Sequence, residues 1–236
     1  MLHPSKSITA TPASQGLKFD SVSFDYTETG SAQLSGWWIP AKTDTRWSGS
    51  TLLYLHDGTG SLSDSVADLA ILHSLGINVF AFDYRGYGHS AGPMPREKRM
   101  TQDAEAAWAY LTDTRHIDPK SIVIYGSGIG ASLAAELAAK HTPAGVILDG
   151  PSEPARQVIG ADARARILPG WLITERFDPA GTLKTLAVPK LFLDRNGMKP
   201  RTEQLYLSAA FPKEYFELKP SAYEATLRRF FDEVLP

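Results

Sequence analysis

Residues 121–140 read SIVIYGSGIGASLAAELAAK. The first five are an unbroken run of the kind that fills a buried strand, and the last ten place Leu and Ala at helical spacing. Between them lie Gly126, Gly128 and Gly130, so the stretch predicts a strand, a tight turn and a helix. Such a junction aims backbone N–H groups from a helix N-terminus, where the helix dipole favours negative charge. Two chemistries use that geometry. Gly126-x-Gly128-x-x-Ala131, with Asp149 about 20 residues on, satisfies the dinucleotide fingerprint. The same residues also fit a nucleophile elbow, in which small residues two before and two after the apex let the turn tighten. Gly126 and Gly130 are those small residues, and the apex is then Gly128. Moving the apex to Ser127 would put Tyr125 and Ile129 where only small residues fit. Ser132 would start an elbow four residues into the helix. Both serines therefore read as structural.

The rhythm of this unit extends in both directions. TLLYLH (51–56), INVFAFDY (77–84), GVILD (145–149), PKLFLD (189–194) and YFELK (215–219) are short, mostly apolar strand candidates. Helical patterns run over 62–75, 99–112, 202–210 and 223–234. Upstream, FDSVSFDY (19–26) alternates and AQLSGWWIP (32–40) is rich in β-formers, which predicts an opening hairpin or meander. Alternating strands and helices with continuous apolar strands predict an α/β fold: a mostly parallel sheet covered on both faces. No repeat or linker divides the chain, so one domain over 1–236 is expected, with 1–18 as a polar lead-in and a Pro/Arg-rich excursion from 151 to 188.

Composition narrows the functional classes. Cys is 0, which removes disulfides, thiolate metal sites and cysteine nucleophiles together. Lys+Arg 24 against Asp+Glu 26 gives a net charge of -2, so bulk charge draws the chain neither to nucleic acid nor to anionic lipid. No stretch approaches the ~18 apolar residues of a membrane span. No H-E-x-x-H and no carboxylate/His cluster has ligand spacing, so no metal is expected.

Against this background several segments resemble a known family. TPASQGLKFDSVSF, LSGWWIPA, LLYLHDGTGSL, VFAFDYRGYGHSAG, DAEAAWAYL, IVIYGSGIGASLAAELA, AGVILDGP and RFDPAGTLKTLAVPKLFL are similar, in that order, to segments of the α/β-hydrolase superfamily. The nearest branch is that of small serine hydrolases, often membrane-tethered, with little or no cap. DYRGYG is the most specific of these segments, and a dinucleotide enzyme has no reason to carry it. The resemblance implies an α/β-hydrolase fold, a reduced cap at 151–182, and a triad in the order serine, acid, histidine.

The triad is where this chain departs from the pattern. Gly128 stands at the serine position. Asp194 replaces the His of a His-Gly pair that precedes the family's acid, in a shortened loop, and Tyr223 falls at or near the histidine position. All six histidines (His3, His56, His73, His89, His116, His141) precede residue 142, so none can serve as the C-terminal base. The resemblance assigns the two oxyanion N–H groups to Gly58, in His56-Asp57-Gly58, and to Ile129. Asp57 departs from the usual glycine; it is expected to face solvent and cap helix 62–75. His56 reads as a structural hydrogen-bonding residue. Arg156, Arg164, Arg166 and Arg176 read as a solvated face, and Trp37, Trp38, Trp108 and Trp171 as core or lid packing.

The expectation is a non-catalytic pseudohydrolase without a cofactor. Its candidate ligand site comprises His56, Asp57, Gly58, Ser127, Gly128, Ile129, Asp149 and Tyr223, and would take a small anionic or acyl ligand or serve a protein partner. One competing reading is an ester or amide hydrolase with an unconventional constellation from Asp149, Asp57, His56, Ser127 and Tyr223. The other is a dinucleotide binder using Gly126, Gly128, Ala131 and Asp149. Cytoplasmic location and tethering to a membrane through a segment outside this sequence both stay open.

Overall fold

The computed structural model describes residues 2–26, 33–154, 176–194, 200–217 and 222–236. Eight strands form the main sheet: β1 (Asp20–Asp25), β2 (Gln33–Ile39), β3 (Thr51–Leu55), β4 (Asn78–Phe82), β5 (Ile122–Ser127), β6 (Gly145–Asp149), β7 (Lys190–Asp194) and β8 (Lys213–Glu217). Their order is β8-β7-β6-β5-β3-β4-β2-β1. The hairpin β1–β2 is antiparallel, as is the β2–β4 contact, and every other pairing is parallel. The strands are those expected, with the last starting two residues earlier, at Lys213.

Every residue of β3, β5 through Tyr125 and β6 is buried, because helices cover both faces. Period-two alternation sorts the side chains. Leu53, Leu55, Phe80, Phe82, Ile124, Val146 and Leu148 face one core, with residues of α2 (Glu97–Ala109) and α3 (Gly130–His141). Leu52, Tyr54, Val79, Ala81, Val123, Tyr125 and Ile147 face the other, against α1 (Val66–Ser74) and α4 (Tyr223–Val234). Trp37, Trp38 and Trp108 are buried as expected. Trp171, Arg156, Arg164, Arg166 and most of the reduced cap expected at 151–182 lie outside the described residues.

Local chemistry sets the helix ends. A capping box of Ser61 and Asp64 opens the turn Leu62–Ser65 that leads into α1, and Leu62 N donates to Asp83 Oδ1 at 2.8 Å. The expected cap role of Asp57 is thus a misassignment: Ser61, Asp64 and Asp83 satisfy these donors, and Asp57 lies elsewhere. The helix expected at 99–112 continues past α2 into a wider turn, Tyr110–Thr114.

The DYRGYG loop is anchored by a buried ion pair. Arg85 Nε donates to Asp103 Oδ1 at 2.7 Å, and the Arg85 amide donates to Asp103 Oδ2 at 2.9 Å. The guanidinium also lies 4.1 Å from the Tyr26 ring centroid. Arg85 is 6% exposed and Asp103 fully buried. Removing one partner strands the other charge away from water. Asp103→Ala is therefore expected to lower unfolding free energy by about 3–5 kcal/mol in urea titration, with the apolar pair Arg85→Met/Asp103→Leu recovering a large part of the loss.

Candidate functional site

The stretch 126–131 folds as an elbow between β5 and α3. Gly128 has φ +57°, in the left-handed region that favours glycine. A Cβ on Gly126 would lie 2.3 Å from the Gly130 carbonyl oxygen, and one on Gly130 would lie 2.2 Å from the Leu55 carbonyl oxygen. Both flanking positions must lack a side chain for the helix to meet the strand this closely. Gly128 N donates to Asp149 O at 3.0 Å, and Ser152 N donates to Gly128 O at 3.2 Å. The apex is therefore held on both sides by backbone. Ser132 is buried and its hydroxyl donates to Phe177 O at 2.8 Å, a structural role as expected.

Asp57 is brought directly to the apex. Its Oδ1 accepts from Gly58 N at 2.7 Å and from Ile129 N at 3.2 Å. These are the two amides that the resemblance assigns to a developing oxyanion, and a carboxylate of the chain itself occupies them. A Cβ at position 128 would fall 2.4 Å from that oxygen. The half-buried Asp57 thus fills space that a nucleophile side chain would need.

Tyr223, Tyr125 and Asp149 form a second group. The Tyr125 hydroxyl lies 2.5 Å from Asp149 Oδ2 and 2.8 Å from the Tyr223 hydroxyl. Asp149 and Tyr223 are 4% and 8% exposed. Tyr54 stacks on Tyr125 with centroids 5.3 Å apart. Tyrosine hydroxyls thus link the last residue of β6 to the first residue of α4. Tyr125 was missed in the sequence, although a tyrosine in an otherwise aliphatic buried strand, two residues before the turn, needs a polar partner. Asp194 is buried at the end of β7 and accepts from the Tyr215 hydroxyl at 3.4 Å; residues 195–199 lie outside the described residues.

His56 is buried as a structural residue. Its Nδ1 lies 2.5 Å from the Asp57 carbonyl, which can only accept, so Nδ1 carries the proton. Nε2 faces Asp83 Oδ1 at 3.8 Å. The ring packs on Tyr84 and Tyr87, with centroids 4.5 and 5.2 Å away. Burial lowers the His56 pKa to about 4 and pushes Asp83 up to about 7. Tyr84 donates to the His56 carbonyl and Tyr87 to the Gly58 carbonyl, at 3.2 and 2.9 Å. The DYRGYG motif therefore serves this turn through its two tyrosines. His3, His89 and His116 are exposed, and His141 pairs with Glu105. Among the described residues no group of three or more His, Asp or Glu is placed to hold a metal ion, and no helix is long and apolar enough to cross a membrane.

The strand order and the elbow after the fifth strand define an α/β-hydrolase fold. Residues 50–188 match the family model Hydrolase_4, serine aminopeptidase S33, and the chain belongs to that family. It is 32% identical over 188 residues to an uncharacterized protein of Mycobacterium tuberculosis, spanning 78% of this chain and 65% of that one. It is 36% identical over 115 residues to human alpha/beta hydrolase domain-containing protein 17B, spanning 48% and 40%. The chain thus spans less than two thirds of the length of these relatives. Among solved structures, the esterase Pf2001 of Pyrococcus furiosus superposes with a TM-score of 0.77 at 21% identity, covering 100% of both chains. An alpha-beta hydrolase from Vibrio vulnificus superposes at 0.70 with 25% identity, covering 94% and 81%.

The buried His56–Asp83 pair generates a pH prediction. Asp83 titrates near 3.8 when unfolded and about 7 when folded, so its contribution to stability is complete below pH 3.8 and is lost as pH rises through 7. His56 titrates near 6.5 unfolded and about 4 folded; its contribution is present above 6.5 and lost as pH falls through 4. Between pH 4 and 6.5 the two oppose each other. Asp83→Asn removes only the first. Its stability deficit against the parent is expected to grow as pH falls from 7 towards 4 in urea titrations, and a deficit that does not vary with pH would mean that folded Asp83 is ionised throughout.

Proposed function

We propose that this chain is a non-catalytic member of its family, a pseudohydrolase that acts by binding rather than by acyl transfer. One observation carries the reading: the apex residue is Gly128, and the space its Cβ would take is filled by the Asp57 carboxylate. Acyl transfer by this fold needs a hydroxyl at that apex, a base to accept its proton, and empty N–H donors for the oxyanion. Gly128 supplies no hydroxyl. Tyr223, at the position where the resemblance expects the base, is bonded to Tyr125 and is too weak a base to accept a serine proton near neutral pH. The Gly58 and Ile129 amides already have an acceptor. Candidate ligand contacts are His56, Asp57, Gly58, Ser127, Gly128, Ile129, Asp149 and Tyr223.

The dinucleotide reading is weaker. A pyrophosphate at the start of α3 would meet the Asp57 carboxylate, and the Asp149 carboxylate that would take the ribose hydroxyls is engaged by Tyr125. The unconventional hydrolase reading has to use His56, whose buried ring is turned to the Asp57 carbonyl and has its pKa lowered to about 4. Esterase activity belongs to structures similar in fold, at 20–21% identity, and passes to this chain only as that competing proposal.

A fluorophosphonate probe is expected to leave no stoichiometric adduct by intact-mass spectrometry, and full labelling at Ser127 or Ser132 would overturn the proposal. Gly128→Ser is expected to be less stable than the parent by at least ~1–3 kcal/mol, from the positive φ alone. Contact with Asp57 adds to that loss. The variant is also expected to stay at background toward short p-nitrophenyl esters; turnover by it would reveal a hidden base.

A further inference from the structure

Asp57 occupies a place at the elbow where two amide N–H groups converge. Its Oδ1 takes both, Gly58 N at 2.7 Å and Ile129 N at 3.2 Å. The turn that carries it is held from three directions. The Tyr87 hydroxyl and the His3 amide both donate to the Gly58 carbonyl, at 2.9 and 2.8 Å, and the Tyr84 hydroxyl donates to the His56 carbonyl at 3.2 Å. On the far side there is room for the carboxylate only because residue 128 has no side chain: a Cβ there would lie 2.4 Å from Oδ1 and 2.5 Å from Cγ. A side chain at 128 and this placement of Asp57 exclude each other. Among the described residues no Lys or Arg pairs with Asp57. The two amides and the start of α3 supply its counter-charge.

We propose that Asp57 is an intramolecular ligand that closes a carboxylate-selective site at the elbow. Converging amides at a helix start recognise an oxyanion by charge and geometry, and the resident carboxylate fulfils both requirements. Because it is tethered one residue from Gly58, it competes at an effective concentration that a dissolved carboxylate does not reach at millimolar levels. The site therefore turns away free carboxylates and acyl oxygens while Asp57 is in place, and takes a carboxylate when Asp57 is removed. The proposal rests on the non-catalytic reading of the elbow, yet the two fail separately. Ester turnover removes that reading, whereas the behaviour of two backbone amides decides the plug.

The test follows the Gly58 and Ile129 amide resonances of isotope-labelled full chain during titration with sodium acetate, with sodium chloride at equal ionic strength as control. In the parent these two amides are expected to stay put. In Asp57→Gly they are expected to shift saturably with acetate and not with chloride, over a concentration range in which the parent amides do not respond. Acetate is also expected to raise the melting temperature of Asp57→Gly and not that of the parent. A variant that folds only in acetate supports the proposal as directly as a binding curve. A folded variant whose two amides ignore acetate overturns it, as does an unfolded one that acetate does not rescue. The parent decides independently of the variant: acetate that shifts Gly58 and Ile129 in the parent overturns the plug.

Discussion

The close approach of α3 to β3 is the constraint on which the rest of the structure depends. The Gly130 Cα comes so near the Leu55 carbonyl that a methyl group would stand 2.2 Å from its oxygen. That contact fixes where the helix starts, and the start of the helix fixes the direction of the Ile129 N–H. It also requires the sharp reversal at Gly128, whose φ of +57° favours a residue without a Cβ. Small residues at 126 and 130 are thus the steric condition for the turn, whatever chemistry the turn performs. This is why the elbow keeps its shape in a chain whose apex has no nucleophile.

Around the elbow, buried polar groups hold the opposing turn in register. The Arg85–Asp103 pair anchors the DYRGYG loop to α2, and Tyr84 and Tyr87 reach from that loop to the carbonyls of His56 and Gly58. Asp83, two residues upstream of Arg85, satisfies Leu62 N and faces His56. Because burial favours the neutral form of both, His56 is uncharged at neutral pH and Asp83, titrating about 7, is only partly ionised beneath the site. The negative charge at the elbow comes instead from Asp57, held at the surface of the turn by two amides.

The fold was legible in the sequence because it rests on periodicity. Continuous apolar strands such as GVILD, separated by helical spacing, specify a covered parallel sheet, and the strands lie where the pattern put them. The alternating FDSVSFDY stretch pairs antiparallel with the next strand as expected. Helix ends were less legible because they depend on caps. The Ser61–Asp64 box opens the turn before α1, a role that proximity alone had suggested for Asp57. The reduced cap was implied by the family resemblance alone, and residues 155–175 lie outside the described structure.

For the site, the sequence by itself determined what is missing: no histidine follows residue 141 and glycine stands at the apex. Those are facts of composition and order, and no folding can change them. What fills the gap was decided only by the tertiary structure. Asp57 and Ile129 are 72 residues apart, and Tyr125 and Tyr223 are 98 apart. Neither contact leaves a local signal, because each depends on the distance between packed elements rather than on the spacing within one. A carboxylate after a strand reads the same in sequence whether it faces water, caps a helix or occupies a pair of amides. Only the close approach of α3 to β3, so tight that a Cβ on Gly130 would lie 2.2 Å from the Leu55 carbonyl oxygen, brings the two turns together and selects the last.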